Sequence, residues 1–516
     1  MTDSALPAAA SARRDKLVLI TSVLIAGLCS LVYELLISTT VSYFLGDSIR
    51  QFSITIGLYM ASMGLGAWLS RLVRRDFLLC FIGVEIALGL VGGLSVPILY
   101  LAYAYTDLIQ VVMILLIIIV GTLTGLEVPL LTRLLQRDDI LARNLSTVLS
   151  LDYLGALLAT LAFPFLLLPF FGVFETSLAF GLVNVGVGFV NLWFFAPQLD
   201  LPRRRLLNVY AAVVCIFLAV LLVFSKGLLQ HWTNSLYSDR IVFREQTPYQ
   251  KIVLTQYKDD LRLFLNGNLQ FSSIDEYRYH ETLVHLPLTQ HPQPKQVLLL
   301  GGGDGLVVRE LLAYPSIQAI TVVDLDPAMV KLARTDPRLL ALNHGSLNNP
   351  LVHVIAADAM VWLEGNERRF DVIIADLPDP NNISLARLYS REFYRLVRLH
   401  LTPDGVFATQ ATSPYYATRA FWSIVKSVRA AGFARVTPYH ILVPSFGVWG
   451  FVYASRNPAP VIPRAPVVPT RFLTREIIAE ALSFEPDLRP RQPIRVSSLD
   501  RPVVYGYYLD GWAYWY

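Results

Sequence analysis

The chain has 516 residues, of which 54% are hydrophobic and only 16% charged, with a mean hydropathy of +0.50; this excludes both a single soluble globule and an intrinsically disordered chain. Residues 1–229 hold 14 Lys/Arg and 13 Asp/Glu out of 82 charged side chains, so the apolar excess belongs to the front half. A net charge of +4 with mixed signs, and no basic run interleaved with aromatics, gives no electrostatic case for nucleic acid.

A membrane-spanning helix needs about 20 mostly apolar residues to cross roughly 30 Å of hydrocarbon. Seven stretches meet that length: Leu17–Ser38, Phe52–Ser70, Phe77–Tyr103, Leu108–Leu131, Thr147–Phe171, Val173–Ala196 and Leu206–Ser225. The first is too long for a signal peptide and lacks a small-residue cleavage site, so it reads as a retained helix. Basic residues mark cytoplasmic loops, and they alternate. Arg13, Arg14 and Lys16 precede the first span, Arg71, Arg74 and Arg75 follow the second, Arg133, Arg137 and Arg143 the fourth, and Arg203 to Arg205 the sixth. The expected location is therefore the inner membrane, with a cytoplasmic N-terminus and the lipid bilayer as partner. Seven spans put the back half outside; one re-entrant stretch would reverse that, and Thr147–Phe171, with Asp152, Pro164 and Pro169, is the candidate.

Glu34, Glu85, Glu127, Asp152 and Glu175 lie within or at the edge of these spans, where an ionisable group is costly and normally faces a partner or a polar cavity. Glu127 and Asp152 lie among small residues and prolines that permit close helix approach and free backbone carbonyls, so they are candidates for a substrate or cation site. Glu175, beside the short Phe171–Val173 turn, reads as a headgroup-level or interhelical group. Cys29, Cys80 and Cys215 fall in apolar stretches with no metal-ligand spacing, so neither a zinc site nor a disulfide framework is indicated.

After Trp232 the pattern changes to short alternating runs, Lys251–Tyr257, Leu261–Leu265 and Leu269–Phe271, with an Asn266-Gly267 hairpin turn between the last two. From Gln296 onward strands and helices alternate, which predicts a doubly wound sheet with ligands at the carboxyl ends of its strands. The fold class expected is a multi-pass α-helical membrane domain (1–229), a small β-domain (235–290) and a Rossmann-like, class I methyltransferase-like α/β domain (291–455). A proline-rich, then helical, then aromatic tail (456–516) has no legible role.

The first strand of the α/β domain runs into Gly301-Gly-Gly-Asp-Gly305 and a helix, a turn that lets backbone N–H groups and a ligand approach closely. Asp324 ends the next strand, about 20 residues on, where an acid meets ribose hydroxyls. Asp358 ends the third strand and Asp376-Leu-Pro-Asp379 the fourth; Asp326, before Pro327, fits a helix cap. The aspartate inside the glycine turn argues against a pyrophosphate ligand and for a cationic nucleoside.

The ordered set Gly301-Gly-Gly-Asp-Gly-Leu-Val-Val-Arg-Glu310, Val323-Asp-Leu-Asp326, Ala357-Asp358 and Asp371-Val-Ile-Ile-Ala-Asp-Leu-Pro-Asp-Pro380, with Leu265-Asn-Gly-Asn-Leu-Gln270 and Asp275-Glu-Tyr-Arg-Tyr-His-Glu281 upstream, resembles the spermidine synthase family of aminopropyltransferases. It spans about residues 245–455, and the apolar front half resembles that family's multi-pass bacterial branch. The resemblance implies transfer of the aminopropyl group of decarboxylated S-adenosylmethionine to putrescine, giving spermidine and methylthioadenosine. It implies no metal and no cofactor beyond that co-substrate; the expected partners are a polyamine and a nucleoside sulfonium, and a homo-oligomer is left open.

By the same resemblance Asp376 is the base that takes or directs the amine proton, and Asp379 helps hold the amine. Asp304 pairs with the ammonium of the aminopropyl arm, Asp324 holds the ribose hydroxyls and Asp358 the adenine amino group. Gly301, Gly303 and Gln250 contact the nucleoside, while Gln270, Tyr279 and His280 line the pockets; packing on the helix Glu276–Leu283 is the other reading of Tyr279 and His280. The family carries Glu where this chain has Asp324 and Tyr where it has Phe446, and the loop after Asp379 reads Pro380-Asn-Asn-Ile-Ser in place of a Gly-Pro segment. The competing readings are an S-adenosylmethionine-dependent methyltransferase, and a membrane polyamine transporter or sensor working through Glu127 and Asp152.

Overall fold

The computed structural model describes residues 5–45, 48–106, 108–135, 141–235 and 239–515; the side chains of Arg13, Arg137 and Arg143, part of the charge pattern above, lie outside the described set. The chain divides between Ser238 and Asp239 into two compact units.

The first unit is helical: α1 (Ala5–Leu45), α2 (Ser48–Leu69), α3 (Phe77–Tyr105), α4 (Ile109–Leu135), α5 (Leu141–Ala162), α6 (Leu168–Phe194) and α7 (Leu201–Ser235), with a π-helical turn over Phe163–Leu167. Among the described residues, six helical stretches are long and apolar enough to cross a membrane, one of them, Leu145–Phe194, being 50 residues long. That stretch is not straight. A Cβ on Gly155 would lie 2.4 Å from the Leu24 carbonyl oxygen, while Asn191 donates to the Ser22 hydroxyl at 2.9 Å. An unbent helix would hold residues 155 and 191 about 54 Å apart, yet both meet one turn of α1, so the chain doubles back at Gly172 (φ 69°, ψ 179°).

Polar side chains tie the helices together. Tyr33 donates to Asn184 at 3.3 Å and Asn184 to Glu85 at 3.1 Å; the Tyr59 hydroxyl meets the Ser30 carbonyl at 2.9 Å and Thr124 at 3.1 Å. Glu34, Glu85 and Glu127 are buried and Asp152 is half-buried, its carboxylate packed on Gly27. Glu175 accepts from Ser225 at 3.4 Å.

The second unit holds two sheets. Strands β1 (Arg240–Gln246), β2 (Lys251–Tyr257), β3 (Asp260–Leu265) and β4 (Asn268–Ser272) form an antiparallel meander. Its last turn places Asn266 at φ 51° and Gly267 at φ 83°, the left-handed pair that an Asn-Gly hairpin supplies.

After α8 (Glu276–Leu288) come β5 (Gln296–Gly301), α9 (Leu306–Leu311), β6 (Ala319–Asp324), α10 (Pro327–Thr335), α11 (Pro337–Asn343), β7 (Val352–Ala356), α12 (Ala359–Glu364), β8 (Phe370–Asp376), α13 (Ile383–Ala386), α14 (Arg391–Leu399), β9 (Leu401–Gln410), α15 (Thr418–Ala430) and the hairpin β10 (Arg435–Val443) and β11 (Gly447–Ser455). The strand order is β10-β11-β9-β8-β5-β6-β7, parallel from β9 to β7, with β11 antiparallel between β9 and β10. Strand residues alternate between faces, and here both faces are dry. Val297 and Leu299 join a core with Leu283, Val284 and Val308, while Leu298 and Leu300 join one with Phe393 and Phe421. The order reverses between β5 and β8, the switch point at which such sheets bind ligands.

The tail is ordered and includes α16 (Arg475–Ala481) and α17 (Val503–Trp512). Glu281 on α8 accepts the backbone N–H groups of Arg471, Phe472 and Leu473 at 2.7–2.9 Å. Trp422, Ser423 and Lys426 on α15 donate to the carbonyls of Leu488, Arg495 and Ile494.

Candidate active site

The switch point brings β5 and β8 into register with Gly301 opposite Asp376. Gly301 has φ +82°, and a Cβ there would lie 2.1 Å from the Asp376 carbonyl oxygen, so only glycine lets the turn leave the strand at this height. Gly303 is fixed for a different reason. Its N–H donates to Oδ2 of Asp324 at 3.0 Å, and a Cβ would stand 2.6 Å from that oxygen. The other oxygen of Asp324 accepts the N–H of Asp326 at 2.9 Å. Burial lifts the Asp324 carboxyl to about 6 against these two donors.

Asp304, inside the turn, accepts the Leu306 N–H at 2.9 Å. Burial pushes its pKa up to about 6, opposed by the neighbouring His280. His280 and Tyr279 are adjacent on α8, and both are buried. Nδ1 of His280 is engaged by Glu276, at 2.7 Å from Oε2, and Glu276 is in turn gripped by both terminal nitrogens of Arg309 at 2.8 and 3.0 Å. Burial works to lower the imidazole, but the hydrogen bond and charge of Glu276, with Asp304 and Asp376 nearby, raise it to about 9. Burial likewise works to raise Glu276, but His280 and Arg309 bring it down to about 2. His280 is therefore a cation at neutral pH. His280, Asp304 and Asp376 lie with side-chain N and O atoms within 4.8 Å of one another, but an imidazole that is protonated and held at Nδ1 by Glu276 has no lone pair for a metal ion.

Asp376 ends β8 and accepts the Tyr279 hydroxyl at 2.7 Å. Burial raises its pKa, countered by His280 and Tyr279. Asp379, three residues on, accepts from the Gln410 amide and the Thr412 hydroxyl, each at 3.1 Å. Burial sets its carboxyl at about 6 despite those donors. Phe446 stands edge-on to Tyr279 with centroids 6.2 Å apart, so the position that resemblance gives to a substrate-contacting tyrosine faces the same side chain.

The remaining expected residues are placed differently from one another. Gln250 donates to Oδ2 of Asp326 at 3.0 Å, beside Thr247 at 2.9 Å, and Asp326 also caps α10 through the Ala328 N–H. Asp358 caps α12 through the Met360 and Val361 N–H groups at 3.0 and 3.2 Å and pairs with Arg387, so an adenine amino group would have to share it. Gln270 donates to the Asn268 carbonyl at 3.1 Å on its own strand; among the described residues it makes no hydrogen bond to the strand-end acids. Residues that the sequence did not mark also belong to the site: Glu276, Arg309, Gln410 and Thr412. Only Arg309 and Glu276 carried a signal, since both sit inside quoted motifs.

Asp304, Asp324, Asp376 and Asp379 thus gather at the ends of β5, β6 and β8 with one protonated histidine among them. The balance is anionic, which suits a ligand carrying more than one positive charge.

A family profile described as the spermine/spermidine synthase domain matches residues 276–465. A polyamine aminopropyltransferase of Leptospira interrogans is 42% identical over 95% of this chain and 98% of its own length. Polyamine aminopropyltransferase 2 of Ralstonia nicotianae is 42% identical over 97% and 99%, and polyamine aminopropyltransferase 1 of Streptomyces coelicolor 41% identical over 98% and 96%. A crystal structure of spermidine synthase in complex with the transition state analogue AdoDATO aligns with 48% of this chain and 86% of its own, at 26% identity and a TM-score of 0.45.

Proposed function

The chain belongs to the spermine/spermidine synthase family, and from that premise we propose that its second unit transfers the aminopropyl group of decarboxylated S-adenosylmethionine to putrescine. The observation that carries this reading is the ring of Asp304, Asp324, Asp376 and Asp379 around one glycine turn, with Tyr279 bonded to Asp376.

The reaction is a displacement at the carbon next to a sulfonium. The amine nitrogen forms the new C–N bond, the C–S bond breaks, and its electron pair returns to sulfur as the neutral thioether of methylthioadenosine. The leaving group is already activated, so the protein must supply a neutral amine, in line and close. Putrescine and the co-substrate each carry two positive charges at neutral pH and spermidine carries three, so one proton is released. Asp376 takes or directs it, which requires hydrogen-bond reach to the nitrogen; the Tyr279 hydroxyl steadies the carboxylate in that task. Asp379 holds the amine. Asp304 meets the ammonium of the aminopropyl arm, and the same charge disfavours ordinary S-adenosylmethionine, whose carboxylate would lie nearby. Asp324 holds the ribose, with Gly301, Gly303 and Gln250 beside the nucleoside. Asp358 completes the adenine end; Tyr279, His280 and Gln270 line the pockets.

The first unit we assign to the inner membrane. Large apolar side chains such as Phe165, Trp193 and Val223 are more than 70% exposed on it, which suits a lipid-facing surface. The reversal at Gly172 supports seven crossings, and with the N-terminus cytoplasmic this puts the C-terminal half on the far side. A periplasm-active reporter fused after Tyr516 should be active, and activity of a cytoplasm-only reporter there would overturn the topology.

The function itself is tested on the full-length protein in detergent. With putrescine and decarboxylated S-adenosylmethionine it should form spermidine and methylthioadenosine in equal amounts. Methyl transfer from S-adenosylmethionine, or polyamine binding with no methylthioadenosine formed, would replace this reading by a methyltransferase or a transporter.

A further inference from the structure

The first unit carries acids that nothing in its apolar stretches neutralises. Those seven stretches contain Glu34, Glu85, Glu127, Asp152 and Glu175 but no Lys, Arg or His. Two of the acids are also unsatisfied. Glu85 is 0% and Glu127 2% exposed, and among the described residues Oε1 of each has no hydrogen-bond partner. A dry oxygen left without a donor bears the full desolvation penalty of its group, so each points to a ligand.

The fold sets the two at one depth. α4 follows α3 within four residues and packs against it, so the two helices form a hairpin. Glu85 lies eight residues after the start of α3 and Glu127 eight residues before the end of α4, which is about 12 Å from the same end of the hairpin in each case. At that end Arg133 donates to the Ser70 and Val73 carbonyls at 2.9 and 3.0 Å. Both acids are also tied to one turn of α1. Glu85 accepts from Asn184 at 3.1 Å, and Asn184 accepts from Tyr33 at 3.3 Å. Thr124, one turn before Glu127, meets the Tyr59 hydroxyl at 3.1 Å, and Tyr59 donates to the Ser30 carbonyl at 2.9 Å. The helices close tightly around this level. A Cβ on Gly92 would lie 2.6 Å from the Tyr33 ring, one on Gly89 2.7 Å from the Gly181 carbonyl oxygen, and one on Gly125 2.1 Å from the Met63 carbonyl oxygen. Backbones this close favour the smallest cation, which needs no shell of ligands.

Resting on the membrane assignment above, we propose that Glu85 and Glu127 form a proton-binding site of the first unit: the pair holds one proton in the dry bundle and exchanges it through the end of the hairpin that bears Arg133. With the proton bound, one carboxyl is a neutral donor and the other an acceptor. With it lost, two like charges face each other in a medium that screens them poorly, and the packing of α3 on α4 loosens. The titratable groups that face the pair are Cys29, Tyr33 and Glu34 on α1, Tyr59 on α2 and Asp152 on α5. α6 presents Asn184 to it while Glu175 turns to Ser225, and the apolar stretch of α7 has no charged residue. None of these supplies a positive charge. The unfolded chain gives the proton up at neutral pH, so folding takes it up and stability falls as pH rises.

The test uses the full-length protein in lipid vesicles, wild type against Glu85→Gln and Glu127→Gln, each of which keeps the shape and supplies an amide N–H in place of the proton. As pH is raised, infrared difference spectra of the wild type should show a carboxylic acid C=O band giving way to carboxylate, and Tm should fall over the same range. Both variants should lose that band and the matching part of the Tm slope; His280 titrates alike in all three proteins and cancels in the comparison. A band and slope unchanged in the variants overturn the proposal, and so does a Tm that follows sodium at fixed pH, which marks a metal-ion site. Should the variants fail to fold, Glu127→Asp keeps a carboxyl and must shift the band; an unshifted band there overturns the proposal equally. Failure of the membrane assignment is seen separately, in a wild type that does not float with the vesicles.

Discussion

The Tyr279 hydroxyl donates to Oδ1 of Asp376 at 2.7 Å across the gap between α8 and the end of β8. A donor held by a packed helix fixes the carboxylate without neutralising it, and leaves its other oxygen outside that bond, where the proposed amine contact would form. Removing such a bond to a charged group costs about 1.5–3 kcal/mol. Tyr279→Phe should therefore lower kcat/KM roughly 10- to 100-fold, read from initial rates of methylthioadenosine formation.

If Asp376 takes the amine proton as proposed, Asp376→Asn removes the acceptor and keeps the shape. kcat should fall by roughly 10²- to 10⁴-fold, with methylthioadenosine binding intact by calorimetry. Loss of both would mark Asp376 as a residue of the fold alone.

The site has an acid limb whose sign follows from burial. Asp304, Asp324 and Asp379 each sit at about 6, and Asp376 is also raised. Activity should climb as pH rises through about 6, because the ionised forms bind the cationic substrates. A kcat/KM profile flat from pH 5 to 7 would contradict this assignment.

The Glu276–His280–Arg309 group is a stability element as well as a neighbour of the site. His280 goes from 6.5 to about 9 on folding, so its stabilisation is full below 6.5 and lost as pH rises through about 9. Glu276 goes from 4.5 to about 2, so its stabilisation is full above 4.5 and lost as pH falls through about 2. Glu276→Gln strands a buried histidine and Arg309; it should cost about 3 kcal/mol and flatten the dependence of Tm on pH between 6.5 and 9, as measured by thermal unfolding.

Gly303→Ala would put a methyl group 2.6 Å from the Asp324 carboxylate. The carboxylate must move off the Gly303 N–H, which predicts a roughly 10- to 100-fold weaker Kd for methylthioadenosine. Isothermal titration against wild type checks it.

How much of this was legible in the sequence depends on distance along the chain. Asp304, Asp324, Asp376 and Asp379 each follow an apolar run by a residue or a short turn, so strand, turn and acid are read together. The Asn266-Gly267 hairpin and the turn at Phe171–Val173 are equally local, and both appear in the structure. Asp358 shows the limit of that reading. Its carboxylate caps α12 and pairs with Arg387, a partner that no spacing rule connects to it. Gln410 and Thr412 are neutral side chains with no periodic signature, and they reach Asp379 only because β9 lies beside β8. The tail has no legible role in the sequence for the same reason, since many of its contacts, such as Glu281 to the 471–473 N–H groups and Trp422 to the Leu488 carbonyl, are side chain to backbone and leave little mark on composition.

The grip of Glu281 on the Arg471, Phe472 and Leu473 N–H groups also carries a timetable. A ribosome delivers α8 and the strands β5, β6 and β8, with their strand-end acids, well before the tail emerges, so a buried carboxylate on α8 waits for its donors until the chain is nearly complete. A chain stopped after β11 would keep the sheet and its glycine turn but leave Glu281 without those three partners, and should be cleared by proteolysis faster than the full-length protein.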